Sequence, residues 1–219
     1  MSDWKANGRP VLTGGIAVPL GGRWVADLAV DAPEGITGAV ELEVGGIRWR
    51  GTVHRGGVDE DVWRGRVVGG AGGLDRPVLA RAWDGLQPAR GLLVELLSEV
   101  GEVLSGTSGE AVDANLARWT RLDMPAHHAL ADLVRAVGAR WRVLFDGSVW
   151  VGVETWPELV LPEDARAELL STDSRTGTST YALPGAYVQP GQVFEGRRVG
   201  SVAYELAGDR DRVRVWWTT

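Results

Sequence analysis

The stretch from residue 123 to residue 154, DMPAHHALADLVRAVGARWRVLFDGSVWVGVE, constrains the fold more than any other part of the chain. Asp123 is placed to cap a helix, and Pro125 is tolerated in a first helical turn. Apolar residues recur at Ala126, Leu130, Leu133, Val134 and Val137, and Gly138 supplies a stop. Period two takes over at Trp141, Val143 and Phe145, meets Asp146-Gly147, and resumes through Val149 and Val151. Asp-Gly between two such runs is a strong hairpin signal, because both central residues of a type I′ turn need positive φ. The unit reads as a helix feeding a hairpin. It carries no nucleophile–base pair, ligand cluster or phosphate loop, so its reading is structural.

Short alternating runs separated by glycine turns fill much of the remainder. Those at 24–30, 39–44, 47–53, 62–68 and 78–83 contribute to about six strands, with Gly45-Gly46 as a two-residue turn. A helix over 88–104 follows, with Leu92, Leu93, Leu96, Leu97, Val100, Val103 and Leu104 on one stripe. A loop at 106–109 marks a boundary, and 110–122 fits a short helix or an arm. Residues 163–170 form a short helix or lead into a strand. Strands return at 178–183, 196–206 and 212–217, with turns at Pro184-Gly185, Pro190-Gly191 and 208–211. The expected fold is mainly β (α+β): two small antiparallel β-barrel-like domains, residues 1–105 and 106–219, with a connecting helix and the helix–hairpin unit. Helix is expected only at 88–104 and 125–137, plus short turns near 110–116 and 163–169.

Cysteine is absent, which excludes disulfides, thiolate metal sites and cysteine catalysis. The net charge of −6 is spread without blocks, so neither specific nucleic acid nor a membrane surface is an expected partner. No apolar run reaches the roughly 18–20 residues of a membrane span. The opening MSDWKANGRP lacks a charged start followed by an apolar core. The chain is therefore expected to be made in a cytoplasm and to stay there, or to leave by a route such as lysis. Lys5 is the only lysine among 23 basic residues, and tryptophan reaches 11. GC-rich codon usage accounts for most of this bias, although tryptophan and arginine also favour interfaces.

Candidate catalytic or ligating groups each meet a plainer explanation. Adjacent His127 and His128 point about 100° apart on a helix and cannot share one metal; Asp123 and Asp132 stand four residues from them. His54 lies in a strand near Arg50 and Arg55, without an acid to orient it. No G-x-S-x-G elbow exists for a serine nucleophile. Asp59-Glu60-Asp61 could take calcium, but it lacks EF-hand spacing and reads as a solvated turn. Paired acids such as Glu154 with Glu158 or Glu163 are a tertiary property that spacing alone does not single out. Arg197, Arg198, Arg212 and Arg214 suggest a basic stripe suited to cross-strand pairing or a protein interface. Trp216 and Trp217 point to opposite faces of a strand, so one is left to face outward.

A barrel, a connecting helix, the hairpin WRVLFDGSVWVG and the closing LPGAYVQPGQVFEGRRVGSVAYEL occur in an order that resembles the baseplate hub proteins of contractile-tailed bacteriophages, the late-control-protein-D and Mu-like group. The closing motifs are Pro190-Gly191, Gly196-Arg197-Arg198-Val199 and the strand from Arg212 to Trp216. The resemblance implies a homotrimeric ring whose barrels alternate, joining the tail tube protein to the central spike protein among other baseplate proteins. It implies a virion component assembled in the host cytoplasm, with no catalytic residue, cofactor or metal. The chain would be a pared-down hub with short loops. Interface candidates are then Arg197, Arg198, Arg212, Arg214, Trp216 and Trp217. Two other functions compete: a carbohydrate- or receptor-binding tail module using surface tryptophans, and a small hydrolase using carboxylates.

Overall fold

The computed structural model describes residues 4–163, 165–183, 185–207 and 210–218. Asp164, and the expected turn residues Pro184, Gly208 and Asp209, lie outside the described residues. Strand makes up 48% of the chain and helix 12%, so the mainly β expectation holds.

Two-residue turns organise the first strands. β1 (Lys5–Ala6) passes through Asn7-Gly8 into β2 (Arg9–Val18), and β3 (Val25–Asp31) follows. β4 (Ala39–Val44) passes through Gly45-Gly46 into β5 (Ile47–Asp59), which passes through Glu60-Asp61 into β6 (Val62–Gly69). In all three turns both central residues have positive φ, at 50° and 79°, 53° and 79°, and 47° and 66°. This type I′ geometry matches the twist of the flanking strands. Strand order is β1-β4-β5-β6-β3-β2, and β1 pairs again with β2, closing a barrel of six antiparallel strands.

Tryptophan fills this barrel. Trp4, Trp24, Trp49 and Trp63 are buried, and Trp24 meets Trp49 edge-on at 5.4 Å between ring centres. Large indoles fit a narrow barrel only where neighbouring positions are empty. Gly56 and Gly65 provide that space for Trp63: a Cβ on Gly65 would sit 2.3 Å from Trp63 Cζ2. Gly51 and Gly69 do the same for Trp24. The tryptophan excess is thus spent partly on the core rather than on a surface.

The next unit is a paired ribbon with two helices. β7 (Pro77–Val78), β8 (Arg81–Trp83) and β9 (Gln87–Pro88) lead into α1 (Ala89–Glu99). A 3₁₀ turn (Glu110–Asp113) precedes β10 (Asn115–Leu116), β11 (Trp119–Arg121) and β12 (Met124–Pro125), which lead into α2 (Ala126–Ala136). β7 pairs with β12, β8 with β11 and β9 with β10, all antiparallel. The run at 78–83 is therefore no barrel strand; the sixth barrel strand is β1. Helix α1 also stops earlier than expected. Gly101 takes φ 80° and donates to Ser98 O while Glu102 N donates to Leu97 O, a Schellman stop. Residues beyond it run extended, and Leu104 bridges Val149.

Helix α2 ends at Gly138 as expected, at φ 68°. Its start differs. Asp123 does not cap it but accepts the Ala80 N–H, and the α2 amides of Ala126 and His127 donate to Arg76 O and Leu74 O, both at 2.9 Å. Loop carbonyls thus satisfy donors that a cap would have taken. The expected hairpin follows as β13 (Arg140–Val143) and β14 (Val149–Gly152). Its turn is of another class: Gly147 has φ 84°, while Asp146 does not take positive φ. Gly147 N donates to Leu144 O, and Leu144 N donates to Ser148 O, leaving a three-residue loop. Asp146 Oδ1 accepts from both Ser148 N at 2.9 Å and Ser148 Oγ at 2.7 Å. Gly147→Val should cost about 1–2 kcal/mol, because a β-branched residue is forced to positive φ. Chemical denaturation of the variant measures it, and an unchanged midpoint would contradict the turn.

The last strands are β15 (Glu168–Asp173), β16 (Thr178–Ala182), β17 (Val193–Phe194), β18 (Arg197–Ala207) and β19 (Arg210–Trp217). Residues approaching 168 lead into a strand rather than forming a helix. These strands do not make a separate closed barrel among the described residues. They extend the first sheet in the order β2-β18-β19-β16-β15, with β17 on β18. Val18 to Gly14 of β2 pair with Val202 to Leu206 of β18, so β2 serves the barrel and the outer strands together. By packing, the chain forms two compact units, Met1–Gly69 with Thr155–Thr219, and Gly70–Glu154.

Candidate interaction surfaces

The groups that sequence offered for catalysis or metal binding are committed elsewhere or solvated. His127 Nδ1 lies 3.0 Å from Leu74 O and 3.6 Å from Asp75 Oδ1, rather than against Asp123. His128 is exposed, its ring 4.2 Å from that of His127, and Asp132 pairs with Arg135 at 2.8 Å. His54 sits at a bulge in β5 between Val53 and Arg55. The Glu154 side chain is largely covered and pairs with Arg142 at 2.6 Å, while Glu158 and Glu163 are exposed. Glu60 and Asp61 form the β5–β6 turn itself, and all three acids of Asp59-Glu60-Asp61 are exposed. Among the described residues, no cluster of three His, Asp or Glu side chains is placed to hold a metal ion.

The glycine-rich run 69–73 shows what a loop of free amides does here. Glu102, only 4% exposed, points its carboxylate into the loop and accepts from Ala71 N at 2.9 Å and Gly73 N at 2.8 Å. Gly70 and Gly72 take positive φ to aim these amides inward. An anion-binding concavity of this kind attracts phosphate elsewhere; here the chain's own carboxylate fills it. Nothing in the sequence pattern linked Glu102 to a loop some thirty residues earlier.

Arginine recurs over tryptophan. Trp83 carries Arg81 at 4.9 Å and Arg121 at 5.5 Å, Trp150 carries Arg142 at 4.5 Å, and Trp156 carries Arg198 at 5.1 Å. These contacts occupy ring faces that a sugar would stack on, which weighs against a tryptophan platform for carbohydrate. The planar guanidinium suits such stacking better than an ammonium.

The C-terminal candidates share one region of β17, β18 and β19. A bulge at Gly200 sets Val199 opposite Trp217 and Ser201 opposite Trp216. Trp217 joins an aromatic cluster: it stacks on Phe194 at 6.4 Å, donates its Nε1 to Ser179 Oγ at 3.0 Å, and lies 4.3 Å beneath Arg197. Tyr181 extends that cluster, and burial, aided by the bond to Glu195 at 2.7 Å, pushes its phenol up to about 12. Trp216 is half-buried on the other face, with Arg214 at 5.9 Å; Arg214 also pairs with Glu205 at 3.4 Å. Arg212 is exposed and has no ion-pair partner among the described residues.

A second surface escaped the sequence reading. The outer face of β2, β3, β6 and β5 holds an open groove of about 470 Å³. Small residues form much of it, including Thr13, Ala29 and Gly56, and three arginines line it: Arg55, Arg64 and Arg66. Arg66 donates to both carboxylate oxygens of Asp27 at 2.8 Å. Those hydrogen bonds hold the Asp27 carboxyl below its usual range against the opposing effect of burial, and the charges of Arg66 and Arg55 add to them. Arg55 and Arg64 are exposed and have no hydrogen-bond or ion-pair partner among the described residues. The register aligns Arg55 with Arg66 only because of the bulge after Val53.

No protein-family model matches the chain, and no curated protein matches it. Solved structures do. The 43 kDa tail protein of prophage MuSo2 from Shewanella oneidensis superposes with a TM-score of 0.65 at 13% identity, covering 98% of this chain and 97% of the other. A tail protein from Neisseria meningitidis MC58 gives 0.66 at 13% identity, covering 99% and 95%. The E. coli c3393 protein, a component of the type VI secretion system with structural similarity to the T4 bacteriophage tail proteins gp27 and gp5, gives 0.62 at 11% identity, covering 99% and 77%. The chain shares the fold of these tail proteins over nearly its whole length, and the expected resemblance holds at that level.

Proposed function

We propose that this chain is a non-catalytic structural subunit of a phage tail, and within it the baseplate hub: a trimeric ring joining the tail tube to the central spike. The carrying observation is the likeness of fold to tail proteins across 98% and 99% of the chain. A type VI secretion component of the same fold, itself structurally similar to the T4 bacteriophage tail proteins gp27 and gp5, supports the choice of hub over other tail parts. In this reading the protein belongs to the virion, is assembled in the host cytoplasm, and has the tube, the spike and other baseplate proteins as partners.

The C-terminal region supplies the proposed seams. Arg197, Arg198, Arg214 and Trp217 are already engaged within the chain, which leaves Trp216 and Arg212 as the anchors with most to offer a neighbour. Large aromatics and arginines dominate the energetics of such interfaces. The test is to mix the full-length protein with the tube and spike proteins of its own locus and measure mass by light scattering. A ring-sized complex is expected, and a persistent monomer would defeat the hub reading. Trp216→Ala with Arg212→Glu should weaken assembly about tenfold or more while leaving the circular dichroism spectrum β-rich. Trp217→Ala should instead lower stability, since its ring packs on Phe194.

A further inference from the structure

We infer that the arginine-lined groove on the barrel receives the acidic β5–β6 hairpin tip of a second copy of this chain. The inference rests on the ring reading only for its biological setting; self-association through this contact stands on the barrel alone. The groove offers two cations, Arg55 and Arg64, that form no hydrogen bond or ion pair among the described residues, in a chain whose net charge is −6. Its floor is made of small side chains, so a turn can approach the backbone closely. One carboxylate, Asp27, bonds Arg66 and faces Arg55, so three arginines share a single acid and the groove keeps a surplus of positive charge.

The chain also carries the complementary shape. Asp59, Glu60 and Asp61 are all exposed at the end of a two-residue turn, and β5 from Arg55 to Asp59 is exposed throughout. The tip is therefore narrow, projecting and triply acidic. Its turn residues Glu60 and Asp61 do not fold back onto their own groove. Arg55 and Asp59 lie on one extended strand, about 13 Å apart at 3.3 Å per residue, and Arg64 and Asp61 are about 10 Å apart on the other. A type I′ hairpin of paired strands does not fold back over that distance. Asp59 stands diagonal to Arg64 across the ladder, but Glu60 and Asp61 are left to meet arginines on another molecule. Tip and groove are different patches, which makes the contact head-to-tail; such contacts close into rings when the rotation permits.

Charge reversal tests this directly. One variant carries Arg55→Glu and Arg64→Glu; another carries Glu60→Arg and Asp61→Arg. Sedimentation velocity is run on each protein alone, at low salt and rising protein concentration, with circular dichroism to verify folding. Wild type should self-associate, and added salt should weaken it. Each variant alone should associate at least about tenfold more weakly. Mixing the two should restore association, since each tip then meets a groove of opposite charge. Wild type that stays monomeric at low salt, variants that associate like wild type, or a mixture without rescue would each overturn the inference. If the ring forms with tube and spike proteins but ignores both reversals, the hub reading survives and this contact falls. If rescue occurs but no complex forms with those partners, the contact survives and the hub reading falls.

Discussion

Glu102→Ala is expected to lower unfolding free energy by about 1–3 kcal/mol, chiefly because the buried Gly73 donor loses its acceptor. The carboxylate is 4% exposed and holds the Ala71 and Gly73 amides. Alanine leaves the buried Gly73 donor without an acceptor, while water can reach the exposed Ala71 amide. Glutamine keeps one oxygen and should fall between wild type and alanine. Amide hydrogen exchange gives a local readout: Ala71 and Gly73 should lose protection in the alanine variant before the barrel strands do. Unchanged exchange at both positions, with an unchanged denaturation midpoint, would show that the loop holds itself.

The second large effect concerns the barrel interior. Gly65→Ala should cost about 2–3 kcal/mol by overpacking, because the new methyl would sit 2.3 Å from Trp63 and 2.7 Å from Arg55 O. For a chain of this size that lowers the melting temperature by about 5–10 °C. Pairing it with Trp63→Leu should relieve the clash, so the double variant should be less destabilised than the sum of the two single changes. Strict additivity would mean that residues 63 and 65 do not share the space.

Local chemistry made much of this fold legible. Gly45-Gly46 turned where expected, Gly138 stopped α2, and the alternation of β18 and β19 was visible from Val199 to Val215. Two misses were also local. Asn7-Gly8 is a type I′ signal that passed unread beside a short β1, and Gly101 lay inside an apolar stripe that continued to Leu104. The stripe persisted because Leu104 is still used, but by a bridge to Val149 rather than by a helix. The Asp146-Gly147 turn shows a finer limit: the dipeptide marks a hairpin, while the loop length depends on which residues pair.

Distant pairing was the part no pattern could supply. That β18 would lie on β2, rather than close with its neighbours, depends on two edges far apart in the chain. The candidate groove has the same origin. Arg64 and Arg66 are plain in the sequence, but Arg55 joins them only through a bulge that shifts register by one residue. Glu102 likewise becomes meaningful only when a helix stop delivers it to the glycine loop.

The double membership of β2 bears on how the molecule comes into being. One edge of that strand is used at its start by β1 and farther along by β18. A ribosome adding about 5–20 residues per second delivers β18 roughly ten seconds or more after β2. For that interval the nascent barrel exposes part of an open edge, to which the strand of any neighbouring chain could attach. Gly14 and Gly15 lie on that stretch, and without side chains they specify register weakly, which leaves the edge open to a wrong partner. Synthesis order therefore makes β2 the place where early mispairing would begin, and a chaperone or a quick successor strand would matter most there.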